Sequence, residues 1–461
     1  MRRMNLVLCA FAGAVPLAGA QVTLYLENTQ DVSVLSDSVN APNFFVGNNP
    51  SVIALVGDSL FVAGYNNTTA PTCKMVKIED IFGTRAFRDV PSSAVPMPTF
   101  RGFYGLQYDH GPARAGLVLN YDSGGVGTAG AFRLYDVDSQ LNPILLEESP
   151  AGTSARGGAG PAFDYGFDGL GFDLDADGQQ DGPVLSILDF AGYPGNLQSR
   201  GPFGIRLRDQ EGLDNGLSVI LGRIYDADSV DGMSQPIAPI INTAGSNGEA
   251  VSGTLWRDIS IDYRNGNLAA RADNDLVIGR RNPLNGLLSH VVVSCTTTDA
   301  CGSVPFQIMQ RCEILVGNPS GDVVVYNEYG TGQSDLTAWI KAVDLDGQPV
   351  AINFLNADGS PFSVPNTSGI MDLSWDPENG RLAVCDFNGR NVYIFSTTPP
   401  PPPCGPCFAD YNQDGGVDGG DVEAFFMDWE SASGCSDTNE DGGVDGGDVE
   451  TFFSQWENGG C

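Results

Sequence analysis

Through most of the chain, short apolar runs alternate with polar turn residues, the pattern of half-buried strands and tight connections. Four segments share one form: Gly105-Leu106-Gln107-Tyr108-Asp109, Gly169-Leu170-Gly171-Phe172-Asp173, Asp258-Ile259-Ser260-Ile261-Asp262 and Asp372-Leu373-Ser374-Trp375-Asp376. Each is a short alternating strand closed by Asp. In the last two, Gly266 and Gly380 follow at the same offset, and then come Asn267-Leu268-Ala269 and Arg381-Leu382-Ala383. This predicts strand, turn, strand, with third strands at Leu276-Val277-Ile278 and Val392-Tyr393-Ile394-Phe395. Near the C-terminus the period changes. Val422, Phe425, Phe426 and Trp429, and again Val449, Phe452, Phe453 and Trp456, stand at i, i+3, i+4 and i+7, one apolar helix face each.

The strand units resemble β-propeller blades, short sheets stacked around a channel so that few edges stay exposed. Further units are expected near Val52-Ile53-Ala54-Leu55, Leu217-Ser218-Val219-Ile220-Leu221 and Glu313-Ile314-Leu315-Val316. The expected fold is therefore mainly β: a six- or seven-bladed β-propeller-like domain, followed by a small α module. A pair of β-sandwiches is the competing architecture. The 59 glycines and 29 prolines suit such turn-rich structure.

The ends of the chain set the domains. Arg2 and Arg3, an apolar run from Leu6 to Leu17 and Ala18-Gly19-Ala20 form the three parts of a secretory signal peptide. The run is too short for the roughly 20 residues of a membrane span, so the mature chain is expected to have no transmembrane segment and to be secreted, extracellular or cell-surface associated. Thr397-Thr398, the prolines 399–403 and Pro406 make a stiff spacer. The predicted division is 1–20 signal peptide, 21–396 propeller-like domain, 397–406 linker and 407–461 terminal module. Export favours disulfides. Cys295 with Cys301, or either with Cys312, are candidate pairs; Cys73 and Cys385 are harder to assign.

A net charge of −34 speaks against a nucleic-acid partner, because phosphate binding needs clustered Lys and Arg. The same acidity suits divalent cations, and one segment organises it. Asp410, Asn412, Asp414, Asp418 and Asp421 place side-chain oxygens at positions 1, 3, 5, 9 and 12 of a loop, with Gly415 at position 6 and the Gly416 carbonyl at position 7. Calcium takes six to eight oxygens, and this spacing turns alternate side chains inward around the glycine. The pattern returns 27 residues later as Asp437, Asn439, Asp441, Gly443, Asp445 and Asp448. Each loop runs directly into its helix, without the entering helix of an EF-hand.

These twin loop-helix repeats resemble dockerins, over about Phe408 to Trp456. The resemblance implies two bound Ca2+ ions and a cohesin-like protein module or cell-surface anchor as partner. Loop positions 10 and 11, usually polar recognition residues in that family, are Gly419-Gly420 and Gly446-Gly447 here. Near-identity of the repeats suggests a partner engaged in two orientations. The ending Gly459-Gly460-Cys461 is similar to that of Gly-Cys-type dockerins and implies a processing point; a staple from Cys407 to Cys435 or Cys461 is the other reading.

In the large domain, Asp173, Asp175, Asp177 and Asp181 form one further calcium-like loop, similar to the hairpins of integrin-alpha-type propellers. Cys404-Gly405-Pro406-Cys407 spells a redox tetrapeptide but follows prolines, where no helix dipole lowers a thiol pKa. Only His110 and His290 are present, which excludes a three-histidine zinc site; both read as surface or turn residues. The functional expectation is a secreted calcium-binding protein docked through its tail, with the propeller as binding or scaffold domain. The alternative is a dockerin-anchored propeller hydrolase or lyase acting on polysaccharide.

Overall fold

The computed structural model describes residues 21–65, 72–95, 102–148, 256–294, 311–399 and 407–458, apart from short stretches inside those ranges, together with four strands between 159 and 223. The segment 1–20, the loop bearing Asp173, Asp175, Asp177 and Asp181, and Cys295, Cys301, Cys404 and Cys461 lie outside the described residues. The chain divides into two compact units, Met1–Asn356 with Pro361–Thr398, and Ala357–Ser360 with Pro399–Cys461.

In the larger unit, β1 (Gln21–Asp31) precedes successive antiparallel sets. The first is β2 (Asn49–Val56), β3 (Ser59–Tyr65), β4 (Val76–Glu79) and β5 (Ala86–Asp89). Next come β6 (Gly102–Asp109), β7 (Gly116–Asp122), β8 (Ala131–Val137) and β9 (Pro143–Glu148). Then follow β10 (Ala159–Gly160), β11 (Val184–Asp189), β12 (Gly201–Leu207) and β13 (Leu217–Arg223). The fourth set is β14 (Trp256–Ile261), β15 (Leu268–Ala272), β16 (Asp275–Arg281) and β17 (Leu288–Ser294). After it stand β18 (Cys312–Leu315), β19 (Val323–Asn327), β20 (Ile340–Asp344) and β21 (Pro349–Leu355). The last run is β22 (Ile370–Asp376), β23 (Arg381–Asp386) and β24 (Asn391–Ser396).

That last run takes its fourth strand from the beginning of the chain. β1 pairs antiparallel with β24, from Tyr25 opposite Ser396 to Asp31 opposite Asn391. Residues Gln21 to Tyr25 also pair parallel with Ala351 to Leu355 of β21, so one strand ties two sets together. The first strands lie side by side in the order β2, β6, β10, β14, β18 and β22, and β22 lies against β2 again. The unit is mainly β and propeller-like.

The run near Leu217, where a further unit was expected, is β13 (Leu217–Arg223), the last strand of the set β10 to β13. An apolar run marks a strand but not its place in a sheet. Strict alternation also fails in second strands such as β3, which is buried from Ser59 to Gly64, and in β23, buried from Leu382 to Asp386. Both faces of these strands are covered by neighbouring sets, so their sequences run apolar. Ile53, Leu60 and Val62 meet Val392 and Ile394 in one such layer. Burial of each of these side chains contributes about 1.5–3 kcal/mol.

In β2, β6, β14 and β22 the register slips at the same place, between Pro50 and Val52, Phe103 and Gly105, Trp256 and Asp258, and Ile370 and Asp372. A bulge adds local twist and re-aims the residues after it. The repeated marks at Gly105, Asp258 and Asp372 are thus the first residues beyond a shared bulge.

The smaller unit holds α1 (Gly419–Glu430) and α2 (Gly446–Glu457). Each begins at a capping box: Asp418 with Asp421, and Asp445 with Asp448. Cys407 and Cys435 are both disulfide-bonded.

Candidate functional site

Two groups of polar residues stand out, one among the first strands of the larger unit and one in the smaller unit. In the first, an inner strand would leave a row of N–H groups unpaired along its free edge. The neighbouring strand supplies acceptors at every second residue. Asp372 Oδ2 accepts from Ile53 N at 2.7 Å, Ser374 Oγ from Leu55 N at 2.9 Å and Asp376 Oδ2 from Gly57 N at 2.8 Å. Asp258 Oδ2 accepts from Cys312 N at 2.9 Å and Ser260 Oγ from Ile314 N at 3.1 Å. The shared Asp-x-Ser-x-Asp pattern therefore joins one set to the next.

The same layers carry the remaining charge. Arg311 Nε lies 3.2 Å from Asp372 Oδ1, and Gln107 Nε2 donates to Glu313 Oε2 at 3.3 Å. Burial pushes the Asp372 carboxyl well above its usual range, against the pull of Arg311. Burial also raises Glu313, and the nearby Asp258 and Asp372 add to the rise. These groups hold sheets together, and their oxygens are occupied in doing so.

Cys312 and Cys385 are free thiols, and both are buried, as is Cys73. Cys312 therefore does not pair with Cys295 or Cys301; it lies on β18 inside the apolar core, and burial raises its thiol pKa. His110, expected at the surface or in a turn, directly follows β6 and packs edge-on to Tyr108 with ring centroids 4.8 Å apart. Burial pulls its imidazole down to about 4, while Asp376 and a backbone hydrogen bond to Trp375 act the other way. Asp376 and Trp375 are distant from it in sequence, so no local pattern could have marked these surroundings.

In the smaller unit the twelve loop residues named from sequence fall into two matching loops. Gly415 has φ +89°, the left-handed conformation that favours glycine. Asp421 Oδ1 accepts from Asn412 N at 3.1 Å and its Oδ2 from Asp418 N at 2.7 Å. Asp448 repeats this with Asn439 N at 3.2 Å and Asp445 N at 2.8 Å. Burial opposes ionisation of Asp448, but those amides hold its carboxyl below the usual range. Positions 9 and 12 are thus helix-capping residues as well as predicted ligands, a role already legible in the Asp-x-x-Asp spacing before an apolar run.

At positions 3 and 5, Asn412 Oδ1 accepts from Asp414 N at 3.0 Å and Asp414 Oδ1 from Gly416 N at 2.9 Å. Asn439 and Asp441 do the same for Asp441 N at 2.9 Å and Gly443 N at 3.0 Å. Asp437 Oδ1 accepts from Asp441 N at 3.1 Å. Asp410 Oδ2 accepts from Gly415 N at 3.1 Å, while its Oδ1 is buried and has no hydrogen-bond partner. Among the described residues no three acidic, thiol or imidazole groups converge in a metal-holding cluster; the loop amides take up most of these oxygens. The unpartnered Asp410 oxygen, the ionised Asp448 and the glycine turn fit a hard cation held by oxygen donors.

A cross-bracing absent from the sequence reading joins the repeats. Trp429 Nε1 donates to Asp445 O at 2.9 Å, and Trp456 Nε1 to Asp418 O at 3.0 Å. Each helix thus holds the N-cap residue of the other. Tyr411 breaks the symmetry: its hydroxyl donates to Asp428 Oδ2 at 2.8 Å, whereas the matching Thr438 bonds Asp448 O at 2.7 Å. Gly420 and Gly447 are closely packed, since a Cβ there would meet the Asn412 and Asn439 amides at 3.0 and 2.9 Å; at Gly419 and Gly446 it would meet nothing within 4 Å.

No family model and no curated protein matches the chain. Among solved structures it is similar to the β-propeller domain of Cps50 (Swd1) from Myceliophteria thermophila, at 10% identity and TM-score 0.41, over 81% of this chain and 100% of that one. It is also similar to a functionally unknown protein from Desulfotomaculum acetoxidans, at 11% identity and TM-score 0.35, over 66% of this chain and 70% of that one. The propeller-like description rests on strand order and pairing rather than on these likenesses.

Proposed function

We propose that the protein is a secreted docking protein whose dockerin-like terminal module binds two Ca2+ ions and attaches a six-bladed propeller to an extracellular or cell-surface partner. The observation that carries this reading is the reciprocal bracing of the two loop-helix repeats, Trp429 to Asp445 and Trp456 to Asp418. Position 9 of each loop is thereby fastened to the other repeat's helix, so ordering either loop orders the surface both helices present. Asp410, Asn412, Asp414, the Gly416 carbonyl, Asp418 and Asp421 would hold one ion. Asp437, Asn439, Asp441, the Gly443 carbonyl, Asp445 and Asp448 would hold the other. Bound calcium would neutralise carboxylates crowded in a segment that has no Lys or Arg after Arg390.

The six-bladed reading is supported by the ring of first strands and by β1 completing the last set. The propeller then serves as the displayed binding or scaffold domain. Affinity capture with the full chain, run in calcium and in chelator, tests the docking role. Saturable capture in calcium alone is expected; equal capture in chelator would overturn it.

A further inference from the structure

The two helices of the smaller unit carry the same charges around different centres. Outward positions on α1 are Glu423, Met427 and Glu430; on α2 they are Glu450, Ser454 and Glu457, all exposed. Met427 is 68% exposed, an apolar side chain offered to water. Ser454 instead stands in an open depression of about 460 Å³, bounded by Val449 and Phe453 and rimmed by Glu450 and Glu457. The two glutamates lie two helical turns apart, about 10 Å along the axis.

We propose that this α2 face is the docking surface, and that it takes a partner segment presenting one apolar side chain between two cationic ones, Lys or Arg. The inference rests on the docking role above and gives it a face and a partner chemistry. The lining sets the first element: Val449 and Phe453 give a compact apolar group a surface to pack on. Charge sets the second. With both rim residues acidic and no Lys or Arg after Arg390, an acidic segment or a second copy of this unit would meet like charge. Exposed rim pairs contribute orientation and encounter rate more than affinity, so the apolar side chain supplies most of the hold. Met427 occupies the place on α1 that Ser454 leaves open on α2, so the two faces are not interchangeable despite the matching backbone.

The test uses the full-length, calcium-loaded chain on an array of short random peptides, with Ser454→Met, Met427→Ser and the pair Glu450→Lys and Glu457→Lys as variants. Bound peptides are expected to be enriched in an aliphatic or aromatic residue flanked by Lys or Arg. Ser454→Met should weaken them about tenfold, the charge reversal should shift selection toward acidic flanks, and Met427→Ser should leave binding to α2 intact. Unchanged far-ultraviolet circular dichroism would show that each variant folds. Absence of binding, preference of the unaltered chain for acidic peptides, or indifference to both Ser454→Met and the charge reversal would overturn the α2 surface while leaving calcium-dependent docking standing. Binding that persists in chelator would instead sink the docking role itself.

Discussion

Phe425 and Phe452 stack face to face, their ring centroids 4.1 Å apart and their planes within 1° of parallel. They occupy equivalent positions in the two repeats, so the approximate two-fold axis of the smaller unit passes between the rings. Tyr411 meets both rings edge-on, at 5.5 Å and 6.0 Å, and completes a small aromatic core.

Both phenylalanines are fully buried, so Phe452→Ala removes a large part of this aromatic core. A loss of about 3–5 kcal/mol is expected. Thermal melting followed by tryptophan fluorescence should show the smaller unit unfolding early, with the β signal of the larger unit unchanged.

The Trp456 hydrogen bond to Asp418 should couple the two loops. Replacing Trp456 by Phe keeps an apolar ring but removes the indole donor, at a cost of about 1 kcal/mol. Calcium titration of the unaltered chain is expected to be cooperative, and that of the variant to split into two independent steps. A Hill coefficient of one in both proteins would show that the bracing does not link the loops.

Between the strand sets, Ser374→Ala strands the Leu55 N–H without its acceptor. A cost of about 1–3 kcal/mol follows for a buried donor left unpaired. Asp372→Ala should cost more, about 3–5 kcal/mol, because it also leaves the buried Arg311 guanidinium without its carboxylate. Chemical denaturation of the two variants gives both values.

His110 predicts a pH dependence of defined sign. Its folded pKa of about 4 lies below the ordinary 6.5, so the unfolded chain takes up a proton first as pH falls. Stability should therefore be lost between pH 6.5 and about 4, by at most about 3 kcal/mol. The raised carboxyls of Asp372 and Glu313 work in the opposite direction, so the readout is the difference between the unaltered chain and His110→Asn. Parallel pH profiles would contradict it.

Much of the larger unit was legible because strand order repeats a local signal. Gly105, Asp258 and Asp372 all fall just past a shared bulge on a first strand. The run at Leu217 marked the region of a set, though an apolar run does not say which strand of the sheet it forms. In the smaller unit the helical spacing was legible, while the Trp429 and Trp456 indole bonds were not, since a cross-repeat contact leaves no local pattern. The surroundings of His110 were illegible for the same reason: Asp376 and Trp375, which face it, come from the other end of the unit. The glycines at positions 11 have a spatial reason that no local pattern carries, as the space a side chain would need is held by Asn412 and Asn439.

Calcium binding by the two loops is tested most directly by calorimetry on the full chain, compared with a variant carrying both Asp414→Ala and Asp441→Ala. These two residues are exposed loop positions, so their loss leaves the helices and the aromatic core in place. The unaltered chain is expected to bind two more calcium ions than the variant. Equal stoichiometry and affinity in the two proteins would contradict it.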